Sequence, residues 1–82
     1  MSIDTIANAA ALLHPGPYLD VARLDDGRYA VQFVKQGAPP RTSYTTQAHA
    51  VVRQAQYAGN IPIHTHDVAL RSLCHDQLVE LI

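Results

Sequence analysis

Eighty-two residues, 48% of them hydrophobic, with no tryptophan and only five aromatic side chains, make one domain whose core is filled mainly by Ala, Val, Leu and Ile. A chain this small buries only about 60% of the surface its unfolded form exposes, so the core is thin and an oligomeric interface would help it. Six basic side chains against seven acidic give a formal charge of −1, and the cations are scattered singly, which argues against the phosphate-neutralising footprint of a dedicated nucleic-acid binder.

The segment from Ser2 to Leu13 is apolar but lacks a cationic start and carries Asp4, which is unlike a secretory signal. No window reaches the roughly 20 apolar residues of a membrane span. The single cysteine, Cys74, excludes an internal disulfide and fits a reducing compartment. Together these lead to the expectation of a soluble cytoplasmic protein.

Ser2 or Asp4 can open a first helix with Ile3, Ile6, Ala7, Ala10 and Leu13 on one stripe. Ala9, Ala11 and Leu12 widen that stripe, and a helix apolar most of the way round is covered on more than one side. With the apolar end Leu78 to Ile82, this leads to the expectation of a homodimer or larger homo-oligomer. His14-Pro15-Gly16-Pro17 ends the helix.

Tyr18 to Leu24 and Arg28 to Gln36 read as a hairpin around Asp25-Asp26-Gly27. A two-residue turn would split the apolar set across the sheet. A three-residue loop with Gly27 in the left-handed bulge position pairs residue 24 with 28, and then Leu19, Val21, Tyr29, Val31 and Phe33 share one face. Gly37-Ala38-Pro39-Pro40 is a stiff connector to a short third strand, Arg41 to Tyr44, expected to pair with the second.

A central helix over residues 46–58 follows, capped by Thr45 or Thr46, with Ala48, Val51, Val52 and Ala55 on its apolar face. Gln47, His49, Arg53, Gln54 and Gln56 take the other face. Gly59 suits the left-handed residue past the last turn, with Asn60 continuing the stop. Ile61 to Thr65 reads as a fourth strand burying Ile61 and Ile63, with Pro62 indicating an edge. Asp67 is a cap for a last helix carrying Leu70, Leu73, Cys74, Leu78 and Leu81. The pattern predicts an α+β domain: a small antiparallel sheet of three to four strands packed against a central helix, with an additional helix at each terminus.

The chemistry-bearing residues form no catalytic set. His64 and His66 project from one strand face and offer two imidazoles to a metal, but His75, His49 or Asp67 would have to supply a third ligand and no spacing places them. Cys74 and His75 are adjacent on a helix and point about 100° apart, and a small buried hydrophobe is the ordinary role of a free cysteine. Ser2, Ser43 and Ser72 lack the elbow that exposes a catalytic serine, and Asp25 and Asp26 are turn residues. No phosphate-cradling glycine loop is present, so no cofactor is expected. Tyr18, Tyr29 and Tyr44 with Phe33 are a candidate stacking platform for single-stranded nucleic acid, with only Arg23, Lys35 and Arg41 as its cations.

Gly27-Arg-Tyr-Ala-Val, Thr45-Thr-Gln-Ala-His-Ala and Ile63-His64-Thr-His-Asp67 resemble a family of small bacterial β-β-α-β domains. In that family an "aromatic-x-Val" strand precedes a "T-x-x-x-A" helix and a strand ending near "His-x-x-Asp-Gly". The likeness covers about half the chain, which lacks the Gly after Asp67 and adds a helix at each end; it implies a fold and no activity. In size and composition the chain is also similar to the phage and mobile-element proteins that inhibit host machinery, such as anti-CRISPR proteins. The expected function is therefore non-enzymatic binding of a host protein or complex. Its contacts would come from Arg23, Tyr29 and Lys35 on the sheet and hairpin, or from His49, Arg53 and Gln56 on the helix. Nucleic-acid binding is the second reading and a metal site at His64 and His66 the third.

Overall fold

The computed structural model describes residues 14–82; the expected first helix lies outside them. The fold is α+β. Strands β1 (Tyr18–Arg23), β2 (Tyr29–Val34) and β3 (Arg41–Thr45) form an antiparallel meander, followed by helix α1 (Ala48–Tyr57), strand β4 (Ile63–Thr65) and helix α2 (Val68–Asp76). The sheet has the order β3-β2-β1-β4.

The hairpin register is the one that the hydrophobic pattern demands. Leu19 pairs with Phe33, Val21 with Val31 and Arg23 with Tyr29, while Gly27 is left-handed at φ 87° and the Leu24 amide donates to the Arg28 carbonyl. Leu19, Val21, Tyr29 and Val31 are buried with Val51, Val52 and Ala55 of α1 and Leu70 and Cys74 of α2. Both helices therefore pack on one face of the sheet, and the core lies between.

Four expectations are corrected. The sheet is mixed, because β4 runs parallel to β1, with Leu19 beside Ile63 and Val21 beside Thr65. A single helix between two strands of one sheet reverses the chain twice, so the returning strand repeats the direction of β3, which is also that of β1. The fourth strand starts at Ile63 rather than Ile61, and the Pro62 carbonyl receives the Leu19 amide just before it. The central helix begins two residues late, with Gln47 in the cap position and no side-chain cap. Thr45 is still paired with Tyr29 in the sheet, and its hydroxyl accepts from the Gln47 amide in a turn.

The fourth correction concerns the end of the chain. Asp67 does cap α2, accepting from the Leu70 amide, but the helix stops at Asp76. Leu78 stands at φ 59° and is 93% exposed, off the stripe that was expected to carry it. Its amide donates to the His75 carbonyl and that of Val79 to the Cys74 carbonyl, which is a Schellman termination with leucine where glycine is usual. The chain then runs back along β4: the Ile63 amide donates to Glu80, the Ile82 amide to Ile63, and Leu81 bridges Ile63. The apolar residues Val79 and Leu81 thus pack on this domain's own core.

Candidate functional site

A groove of about 940 Å³ lies between β3 and α1. Two local facts open it. The core stripe of α1 is Val51, Val52 and Ala55, so the adjacent stripe, Ala50, Arg53, Gln54 and Tyr57, follows at helical spacing and overhangs the sheet rather than packing into it. On the sheet side every residue from Arg41 to Tyr44 is exposed.

The groove is chemically one-sided. Lys35, Arg41 and Arg53 line it, together with the apolar surfaces of Phe33, Pro39 and Tyr57, and none of its lining residues is Asp or Glu. Tyr57 is 85% exposed. The acidic residues of the described chain are elsewhere: Asp25 and Asp26 at the hairpin tip, Asp20 in β1, Asp67 and Asp76 bounding α2, and Glu80 beside β4. A near-neutral formal charge thus conceals a local surplus of cations, and three neighbouring like charges over apolar walls give the groove a positive local field.

A second polar cluster occupies the opposite face of the sheet. His64 is 4% exposed; it lies within β4 beside Asp20, and its Nδ1 stands 3.2 Å from the Asp20 carboxylate. The His66 ring meets that of His64 edge-on at 5.3 Å between centroids, and His66 is exposed. The contact between Nδ1 and the Asp20 carboxylate fixes the orientation of the ring. Among the described residues the ring's hydrogen-bond partner is Asp20. Tyr18, two residues from Asp20, has its phenol pushed up by burial and then by that carboxylate. Among the described residues no three His, Cys, Asp or Glu side chains are grouped so as to hold a metal.

Of the residues expected to contact a partner, Lys35 and Arg53 meet in the groove, whereas His49 and Gln56 are not among its lining. Arg23 and Tyr29 form a cross-strand pair on the helix-covered face. Tyr29 is only 4% exposed and is a core residue, not a surface contact. The tyrosine platform is also divided. Tyr18 and Tyr44 lie on one face of the sheet and Tyr29 and Phe33 on the other, as the alternation along β1, β2 and β3 requires. Arg41, expected beside Lys35 as a cation of the sheet face, joins Lys35 and Arg53 here, whereas Tyr57 and Pro39 were not expected with them. The i, i+4 spacing of Arg53 and Tyr57 was the available signal. Cys74 is buried in the core, where burial pushes its thiol up against the opposing influence of Arg71, so it has the character of an inert thiol.

A scan against protein-family models and searches of curated proteins and of solved structures found no match. No described helix is long and apolar enough to cross a membrane.

Proposed function

We propose that this chain is a small non-enzymatic binding module that acts on another protein through the groove between β3 and α1. The observation that carries this reading is the convergence of Lys35, Arg41 and Arg53 on one apolar-walled groove without a carboxylate. Exposed Tyr57, with Phe33 and Pro39, supplies the rigid apolar area on which protein contacts are built. Such a module would work as an inhibitor or adaptor by occupying its partner's surface.

The same three cations suit phosphate, which makes nucleic acid the competing partner. The division of the aromatic residues between the two sheet faces weighs against it, because a stacking surface for successive bases needs them together. Capture from a lysate of the source cells, with and without nuclease, separates the two. A defined protein complex that survives nuclease and is lost with Arg53→Glu is the expected result. Loss of all partners on nuclease treatment, with direct oligonucleotide binding that weakens steeply with salt, overturns it.

A further inference from the structure

The two edges of the sheet are treated differently. The outer side of β4 is closed by the chain itself, through the hydrogen bonds of Ile63 with Glu80 and Ile82. The outer side of β3 has no strand beside it among the described residues. An open edge offers a row of amides and carbonyls to any extended chain, and proteins blunt such edges with charges, prolines or bulges. Here Pro39 and Pro40 end just before the strand, and Arg41 is its only charge. The pairing of β3 with β2 runs through five successive residues without a bulge. Thr42 to Thr45 are neutral, β-compatible residues. Beyond Arg41 the edge is regular and, among the described residues, uncovered, and it borders the cationic groove.

We infer that the groove receives an extended acidic peptide segment of the partner, which adds to β3 as a fifth strand of the sheet. This rests on the groove being the binding surface. A strand added there lies about 4.8 Å from β3 and directs alternate side chains to each face. On the helix-bearing face Arg41 and Ser43 of β3 border the groove, with Arg53 and Tyr57 overhanging it. Carboxylates at every second position of the segment then meet Arg41, Arg53 and Lys35, while main-chain hydrogen bonds to β3 supply affinity indifferent to sequence. Charge complementarity fixes the occupant as acidic, and the open edge fixes it as extended.

The test uses a fluorescent peptide of about eight alternating glutamate and valine residues, enough to span the strand, and a copy with alternate amides N-methylated. Anisotropy and amide hydrogen exchange of the full chain are the readouts. The expected result is binding that protects amides of β3, falls at least about tenfold on N-methylation, and falls at least about tenfold with Arg53→Glu. Binding that is lost with Arg53→Glu but indifferent to N-methylation, or that protects amides outside β3, overturns strand addition and leaves the groove reading standing. Binding indifferent to Arg53→Glu, or no binding, overturns the inference. A single-stranded oligonucleotide of equal charge that binds more tightly than the peptide and depends on Arg53 overturns both the acidic peptide and the protein-binding reading.

Discussion

Tyr29 and Asp67, 38 residues apart in sequence, meet with the phenol donating to the Asp67 carboxylate at 3.2 Å. The same carboxylate oxygen accepts from the Leu70 amide at 2.9 Å, so one side chain starts α2 and fastens it to β2. Thr65 Oγ1 accepts from the Asp67 amide, and the Arg71 guanidinium donates to the Thr65 carbonyl. Asp67 is thereby held in place from both sides of the turn.

Asp67→Ala removes a cap worth about 1 kcal/mol and leaves a buried phenol without its acceptor, at a further cost of about 1 kcal/mol. The expected loss is about 2 kcal/mol in urea denaturation. Tyr29→Phe, which keeps the ring in the core, is expected to cost about 1 kcal/mol. Arg23 stands 4.0 Å from Asp67 with its side chain 51% exposed, and losing that ion pair in Arg23→Ala is expected to cost less than about 1 kcal/mol.

Stability is expected to fall on the alkaline side. The phenols of Tyr18 and Tyr29 are raised above 10.0 and the Cys74 thiol above 9.0, in each case first by burial. The folded state therefore holds these protons more tightly than the unfolded chain does. Their contribution is fully present below the unfolded values and is lost as pH rises through the folded ones, since unfolding then releases protons. The urea midpoint should be flat to about pH 9 and decline above it. Tyr29→Phe should make that decline shallower, and an unchanged slope would remove Tyr29 from the account.

Two left-handed residues give opposite outcomes. A Cβ at Gly27 meets nothing within 4 Å, so Gly27→Ala suffers only from its backbone at φ 87°, by about 1 kcal/mol, and Gly27→Asn by less. Leu78 already carries such strain while exposed to solvent. Leu78→Asn is expected to stabilise the protein by roughly 0.5 kcal/mol or more, because Asn visits this region readily. Thermal midpoints measured in parallel check both.

Removing residues 79–82 takes away the hydrogen bonds of Ile63 with Glu80 and Ile82 and the packing of Val79 and Leu81. The expected loss is at least about 2 kcal/mol. The uncovered β4 edge should also make the shortened chain self-associate, seen by light scattering over a dilution series. The intact chain, compared in the same series, reads the oligomeric state directly.

Near-neighbour chemistry was legible in the sequence. The bulged turn at Gly27, the face shared by Leu19, Val21, Tyr29 and Val31, the apolar stripe of α1 and the Asp67 cap each follow from residues a few positions apart, where period and turn geometry act. What only the tertiary structure decided is non-local. The direction of β4 depends on where the chain lands after crossing the sheet, and the extended path of residues 79–82 depends on an open edge at Ile63 that no local propensity records. The groove belongs to the same class. Lys35, Arg41 and Arg53 look like isolated cations in a nearly neutral chain. They converge because β3 takes the outer position in the sheet and α1 then crosses back over it, leaving the acidic residues of the described chain at the hairpin tip, in β1 and around α2 and β4.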